Sequence, residues 1–214
     1  YFCEKYGEQQ SAYLSPTNYN QTHRNTKAIN QLITTLNKAI SLPSNYSYIT
    51  HYATVYNSVP LWVAINVLTF GQISKMYQYA TTDIRAKISL NFADISEIQL
   101  HQFIRVLASC RNVCAHSERL YSFHVNEAIS DMLLHKKLQL PRKKEQYAVG
   151  KQDLFAVVIA LRYLIDNNEF HKFKIELKRL IHSVLKKCPH ISQELLFSKM
   201  GFPENWEKIN RYKK

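Results

Sequence analysis

Residues 96–120 have the sequence SEIQLHQFIRVLASCRNVCAHSERL, which carries the clearest helical pattern in the chain. Ser96 and Gln99 form a capping-box pattern, in which each side chain accepts a hydrogen bond from the other residue's backbone N–H. A helix is therefore predicted to begin near Ser96. Apolar residues then recur at spacings of three and four, which indicates a helix buried on one side. They are Leu100, Phe103, Leu107, Cys110 and Cys114, flanked by Ile104 and Val106.

The opposite side of this predicted helix is polar. Because an α-helix turns by about 100° per residue, several polar residues share one stripe that faces away from the core. They are Arg105, Ser109, Asn112, His116 and Arg119. By the same arithmetic, Arg111 lies about 140° from His116, near the edge of the apolar face. A long arginine stem, a bend at the helix end or a second subunit would be needed to bring the two together.

The composition favours a helix-rich globular protein. The chain has 214 residues, 46% of them hydrophobic and 21% charged, and this balance is typical of a folded domain with a sizeable core. Only four glycines and six prolines are present, so few tight turns are expected. We predict an all-α fold in which residues 1–214 form a single domain. Because the chain starts at Tyr1, we expect it to be the C-terminal part of a longer protein that lacks its N-terminal segment here.

The four cysteines do not suggest a disulfide framework. Cys3, Cys110, Cys114 and Cys188 are scattered, and two of them sit one helical turn apart on the predicted core face. A metal site made by Cys110, Cys114 and His116 is disfavoured, because the histidine points away from the cysteines and no fourth ligand is evident. We predict buried thiols, no metal, no cofactor and a reducing, cytoplasmic location. No run of eighteen apolar residues occurs, so no stable membrane insertion is expected.

The positive charge is concentrated in the second half of the chain. The net charge is +12, and residues 101–214 hold 21 Lys and Arg against 11 Asp and Glu. Nucleic acid and an acidic membrane face are the usual partners of such a surface, although a merely soluble surface is the simpler alternative. The polar stripe on the same half favours nucleic acid. Five of the nine residues from 136 to 144 are basic, namely Lys136, Lys137, Arg142, Lys143 and Lys144. This run fits either a solvated loop or a phosphate-binding loop.

Other stretches also have helical spacing. Helices are predicted over residues 25–40, 61–79, 81–92, 154–165, 169–187 and 193–199. The segment 61–79 is apolar on nearly every side and is therefore expected at the centre of the bundle, with Trp62 and Phe70 in the core. The segment 169–187 is a basic amphipathic helix suited to RNA, an acidic partner or a membrane surface. The tyrosines of residues 46–57 suit either base stacking or a half-buried interface.

Two levels of resemblance bear on function. Arg111-Asn112, three further residues and then His116 are similar to the Arg, polar residue, His motif of HEPN-superfamily ribonucleases. Three segments, 60–65 (PLWVAI), 70–77 (FGQISKMY) and 111–120 (RNVCAHSERL), resemble in that order the bacterial Abi-like family of abortive-infection proteins (AbiD/AbiF-type). The resemblance covers about residues 1–125. It differs at Ser117, where many relatives have a second histidine.

The resemblance implies a HEPN-like helical bundle with additional C-terminal helices and a metal-independent endoribonuclease activity. RNA cleavage without a metal needs a group that moves a proton and a cation that stabilises the developing phosphorane charge. His116 suits the first role and Arg111 the second, while Asn112 could orient either the histidine or the phosphate. In the resembling family the motifs pair across a two-fold axis, which implies a homodimer with a composite site.

The implied partners are RNA and a second copy of the chain. RNA would be the substrate, bound through Arg105, Arg119 and the basic residues of 136–144, and an antitoxin-like RNA or protein would restrain the enzyme in phage defence. The main alternative is a non-catalytic HEPN-type module that binds RNA or a partner, and a membrane-surface role for 169–187 is a third. In a purely structural interpretation, Arg111 and His116 would hydrogen-bond carboxylates such as that of Glu118.

Overall fold

The computed structural model describes residues 1–212, and the predicted all-α class is confirmed. Twelve α-helices lie within this part of the chain, with one sheet of two short strands. The chain divides into two compact units, Tyr1–Asn91 and a second unit that begins at Phe92. The expectation of a single domain stays a prediction.

The first unit contains seven helices around one apolar core. They are α1 (Phe2–Tyr6), α2 (Gln10–Tyr13), α3 (Thr26–Ile40), α4 (Ser47–Val55), α5 (Leu61–Ala64), α6 (Phe70–Tyr79) and α7 (Thr82–Ser89). The prediction of a helix over 25–40 is confirmed, because α3 buries Ile29, Leu32, Leu36 and Ile40 along one face. A buried hydrogen bond of 2.8 Å from the Tyr13 hydroxyl to the Val59 carbonyl joins distant parts of this core.

The predicted central helix over 61–79 is wrong. The helix is interrupted at Leu68, which has extended backbone angles, and Thr69 then caps the separate helix α6. Thr69 and Gln72 form a complete capping box, so the backbone N–H groups at the break have partners. The expected burial of Trp62 and Phe70 is also wrong, since 53% and 37% of their surfaces are exposed. Trp62 instead donates a hydrogen bond of 3.1 Å to Glu8.

The second unit contains the remaining five helices and the strand pair. The helices are α8 (Glu97–Ala115), α9 (Leu133–Lys137), α10 (Leu154–Leu164), α11 (Asn167–Lys187) and α12 (Gln193–Met200), and the strands are β1 (Arg142–Lys143) and β2 (Gln146–Tyr147). Helix α10 is the buried centre of this unit, because nine of its residues are buried. It packs on α8, where the Phe103 and Tyr163 rings stack at 5.6 Å.

The caps predicted from the sequence are present in the second unit. Ser96 and Gln99 exchange hydrogen bonds of 2.9 and 3.2 Å at the start of α8, as expected. The Asp153 carboxylate accepts a bond of 3.1 Å from the Ala156 amide at the start of α10. Helix α11 is amphipathic as predicted, but Leu180 and Val184 are 60% and 42% exposed rather than inward.

Candidate functional site

The last turn of α8 is exposed, whereas the first half of the helix is packed in the core. Leu100, Phe103 and Val106 are buried in the first half, whereas Arg111 and Asn112 are exposed. The apolar face therefore ends earlier than predicted. Cys110 is half-buried, and its pKa is raised to about 12 by burial and by the neighbouring Cys114 thiol. The prediction that Cys114 is buried is wrong, because its side chain is exposed.

The end of α8 is closed by a pair of backbone hydrogen bonds. The Glu118 amide donates to the Val113 carbonyl at 3.0 Å, and the Ser117 amide donates to the Cys114 carbonyl at 3.2 Å. Ser117 has a φ of 54°, so this is a Schellman motif with a serine at the left-handed position that glycine usually occupies. His116 is the C-cap residue, and its exposed imidazole lies at the rim of this turn.

Because of the turn at Ser117, the predicted polar stripe does not extend to Arg119. Because the helix stops at Ala115, Arg119 is not one helical turn beyond His116 as expected. Arg119 instead precedes a short 3-10 turn at Leu120–Ser122, and its side chain is exposed. Arg105, Ser109 and Asn112 do belong to α8.

The motif side chains are available to a ligand. The Arg111 guanidinium contacts Asn112 Oδ1 at 3.5 Å, which is a weak hydrogen bond, and this is its one side-chain bond within residues 1–212. The His116 imidazole has no hydrogen-bond or ion-pair partner in the same described part, and only its backbone N–H bonds, to the Asn112 carbonyl at 3.0 Å. Neither side chain pairs with Glu118, so the carboxylate-bonding role considered for them has no support here.

Arg105 differs from the other predicted RNA-binding residues, because it already has an acidic partner. Its guanidinium pairs with the Glu127 carboxylate and contacts the Glu127 carbonyl at 3.5 Å. The Arg105 side chain is only 28% exposed, and burial lowers its pKa. A guanidinium held in this way has less freedom to engage a phosphate than one that points into solvent.

The basic run of residues 136–144 is partly ordered secondary structure. Lys136 and Lys137 end α9, Arg142 and Lys143 form β1, and Lys144 begins the turn to β2 with a φ of 57°. All five basic side chains are exposed. Arg142 lies 4.8 Å above the Tyr147 ring and donates a bond of 2.6 Å to the Glu145 carbonyl.

A buried histidine, which sequence reasoning did not single out, anchors this basic hairpin. His135 is fully buried and stacks on Tyr147 at 5.0 Å. Its Nδ1 accepts a bond of 2.9 Å from the Met132 amide, so its Nε2 carries the proton that faces the Gly150 carbonyl, also at 2.9 Å. Burial lowers the pKa of His135, which disfavours the protonated ring. The surrounding sequence gave no signal, since a lone histidine has no characteristic spacing.

No group of three or more His, Cys, Asp or Glu side chains in residues 1–212 is arranged to hold a metal ion. None of the helices in the same range combines the length and the apolar character that crossing a bilayer requires.

Comparison with known families adds one match. The model of a family described as Abi-like protein matches residues 1–122, which include all of the first unit, helix α8 and the turn that follows it. No curated protein and no solved structure matches the chain. The matched range ends just after Arg119, so the motif at the end of α8 lies inside it and the basic hairpin lies outside it.

Proposed function

The chain belongs to the Abi-like protein family, and on that premise we propose that it is a metal-independent endoribonuclease of abortive-infection defence. The observation that carries the proposal is the pair of exposed side chains at the end of α8, Arg111 and His116, with no carboxylate paired to either within residues 1–212. A cation and an imidazole in solvent are the groups that RNA cleavage without a metal requires.

In the proposed reaction the 2′-hydroxyl oxygen of RNA attacks the adjacent phosphorus, and the bond from phosphorus to the 5′-oxygen breaks. His116 moves the proton, taking it from the 2′-hydroxyl or giving it to the departing 5′-oxygen. Arg111 stabilises the extra negative charge on the phosphorane through charge-assisted hydrogen bonds. Asn112, which contacts Arg111 at 3.5 Å, positions the guanidinium. The products are a 2′,3′-cyclic phosphate and a 5′-hydroxyl.

A composite site in a homodimer is part of the proposal. No hydrogen bond joins the Arg111 and His116 side chains within residues 1–212, and the helical repeat separates the two positions by about 140° around the axis. A two-fold axis near the end of α8 would bring Arg111 of one subunit towards His116 of its partner. HEPN-like pairing of this kind explains why both side chains lie exposed on the isolated subunit.

The basic residues of the second unit would hold the RNA. Lys136, Lys137, Arg142, Lys143 and Lys144 are exposed and can neutralise phosphates along the strand. Arg119 is exposed and has no ion-pair partner among the described residues, so it belongs to the same group. Arg105 is the weakest candidate, because Glu127 already neutralises it.

The decisive experiment incubates the purified protein with mixed RNA in EDTA. Cleavage products that end in 2′,3′-cyclic phosphate are expected. Arg111→Ala and His116→Ala should each abolish cleavage while RNA affinity stays nearly unchanged, and His124→Ala, an exposed histidine outside the motif, should cleave normally. Binding without cleavage by the unmodified protein would instead support a non-catalytic RNA-binding module.

The dimer can be tested with the same two variants. If the site is composite, a mixture of Arg111→Ala and His116→Ala subunits contains heterodimers in which one intact Arg111 faces one intact His116. Cleavage should therefore return in the mixture, after subunit exchange, although each variant alone is inactive. A monomer in light scattering, or a mixture that stays inactive after proven exchange, would contradict the composite site. An inhibitory RNA or protein would be sought by copurification with the inactive His116→Ala variant.

A further inference from the structure

Helix α10 contains a charged residue in an otherwise apolar sequence. Its residues 154–164 read LFAVVIALRYL, and Arg162 is only 5% exposed. Arg162 is the one Lys, Arg, Asp or Glu residue that is buried within the described chain. A buried charge is costly unless a counter-charge and hydrogen bonds compensate it. The groups around this guanidinium therefore decide how its charge is compensated.

The hydrogen-bond partners of Arg162 within residues 1–212 are uncharged groups. Its guanidinium donates to Asn167 Oδ1 at 2.7 Å and to the Tyr212 carbonyl at 3.0 Å, and it lies 5.4 Å from the centre of the Phe170 ring. These two hydrogen bonds use two of the five N–H groups that an arginine offers. The Nε atom is buried and has no hydrogen-bond partner within the described chain. Burial lowers the pKa of Arg162.

A cavity of about 380 Å³ opens beside this guanidinium. It is lined by Arg162, Asn167, Phe170, Asn210, Arg211 and Tyr212, none of which is acidic. Asn210 contributes a second buried atom without a partner, Oδ1, while its Nδ2 contacts His171 at 3.1 Å. The cavity therefore combines two guanidinium groups with unsatisfied polar atoms and an aromatic ring.

The acidic residues on the neighbouring segments are engaged elsewhere. The Asp166 carboxylate accepts bonds of 2.8 and 3.0 Å from the Asn168 and Glu169 amides at the start of α11. The Glu207 carboxylate pairs with Lys178 at 2.6 Å. Glu207 forms no ion pair with Arg162 or Arg211 within residues 1–212. None of the described residues that line the cavity is acidic, so a ligand would supply the counter-charge for its two guanidinium groups.

We propose that this cavity binds a phosphate monoester. A phosphoryl dianion matches the two positive charges, and its oxygens match the planar array of guanidinium N–H groups. The volume exceeds that of a phosphate group and lies in the range of small-molecule sites, so it leaves room for an attached nucleoside. The ligand class is a nucleoside 5′-monophosphate, free or as the phosphorylated 5′-end of an RNA. The site lies outside residues 1–122 and shares no residue with the Arg111 and His116 motif.

Isothermal titration calorimetry of the full chain at low ionic strength tests this proposal. Adenosine 5′-monophosphate should bind saturably and adenosine should not, because the phosphate provides the attraction. Arg211→Gln should weaken binding by about tenfold or more, the usual effect of losing a hydrogen bond to a charged group. Arg211 is exposed, so this change should not disturb folding. Lys187→Gln is the control, since the C-terminal end of α11 lies about 30 Å from its start.

The melting temperature of an Arg162→Met variant, with and without ligand, provides a second test. This variant loses the bonds to Asn167 and Tyr212, so its folding is first checked by circular dichroism. Adenosine 5′-monophosphate should raise the melting temperature of the unmodified protein and leave that of a folded Arg162→Met variant unchanged. The proposal is overturned if the unmodified protein shows no saturable binding, or if Arg211→Gln and Lys187→Gln bind equally well.

Three probes separate the sources of the phosphate. Inorganic phosphate that binds as tightly as adenosine 5′-monophosphate would remove the nucleoside from the proposal and contradict the ligand class. Stronger binding of a 5′-phosphorylated RNA than of the same RNA with a 5′-hydroxyl would identify RNA ends as the ligand. Equal binding of the two RNAs, with tight binding of the mononucleotide, would identify a free nucleotide. The site does not depend on RNA cleavage, so a His116→Ala protein should bind these ligands normally.

Discussion

The Glu118 amide donates a hydrogen bond of 3.0 Å to the Val113 carbonyl, and this bond turns the chain out of α8 directly after His116. The turn requires Ser117 to adopt a φ of 54°, a left-handed conformation that costs a residue with a Cβ about 1–2 kcal/mol. Ser117→Gly removes that cost but adds backbone freedom to the unfolded chain. We expect the free energy of unfolding to rise by about 0.5–1 kcal/mol, measured by urea denaturation.

Ser109→Gly is the matched control for this prediction. Ser109 lies inside the same helix, where glycine is destabilising by a few tenths to about 1 kcal/mol. The two serine-to-glycine changes should therefore have opposite signs. Equal destabilisation by both would mean that Ser117 is not held in the left-handed conformation in solution. RNA cleavage should persist in Ser117→Gly, because Arg111 and His116 keep their places.

Several helices could be predicted from sequence because their signals are local. The capping box at Ser96, the cap at Asp153 and the spacing of α3 depend on residues a few positions apart. The interruption at Leu68 is not predicted, although Thr69 and Gln72 carry the same capping-box pattern as Ser96 and Gln99. The sequence on both sides of Leu68 is largely apolar, and tertiary packing decides whether such a run forms one helix or two.

The candidate site was predicted only in part, for a physical reason. The exposure of Arg111 and His116 follows from the short apolar face of α8, but the exit of the chain at Ser117 does not, since no glycine marks the turn. The position predicted for Arg119, one helical turn after His116, is therefore wrong. The arginine within the apolar sequence of α10 is a further signal in the sequence, because a charge among buried residues indicates a specific partner.

Charge reversal in the hairpin tests whether the basic run contacts phosphates. Lys143→Glu with Lys144→Glu should weaken RNA binding at low salt, because two exposed cations are lost. If both contact the backbone, the slope of log affinity against log salt should fall by about 1.4 for single-stranded RNA. Fluorescence anisotropy at several salt concentrations measures this slope.

The control for this charge reversal lies in the first unit of the chain. Lys27→Glu with Lys38→Glu makes the same change in net charge on exposed positions of α3. This pair should lower affinity slightly and leave the slope nearly unchanged. Indistinguishable slopes for the two double variants would show that the hairpin has no direct contact with RNA.

The half-buried carboxyl group that caps α10, that of Asp153, should make stability depend on pH. Burial raises the pKa of Asp153 from 3.8 to about 6, despite bonds from the Gly150 and Ala156 amides. The folded state therefore binds a proton more tightly than the unfolded state. The resulting stabilisation is complete below about pH 4 and is lost as pH rises through about 6.

Asp153→Asn isolates this contribution. An asparagine still caps the helix and has no proton to lose. Between pH 4 and pH 6 the unmodified protein should therefore lose stability relative to Asp153→Asn, by an amount on the order of 3 kcal/mol at most. Urea denaturation at several pH values measures the difference. A difference that stays constant with pH would contradict the raised pKa.

The same carboxyl group explains why residue 201 is a glycine. Gly201 has a φ of 73° at the end of α12, and a Cβ placed there would overlap the Asp153 carboxyl group. Asp153 cannot move aside easily, because its oxygens bond to the Gly150 and Ala156 amides. Gly201→Ala combines overpacking with left-handed strain and should lower the free energy of unfolding by about 2–4 kcal/mol.

Gly71→Ala is the control and should instead raise the free energy of unfolding by up to about 1 kcal/mol. Alanine favours a helix, and the new Cβ would meet only Thr69 Oγ1, at 3.9 Å. Thermal and urea unfolding of both variants measures these changes. Equal effects of the two alanines on the free energy of unfolding would contradict this account of Asp153.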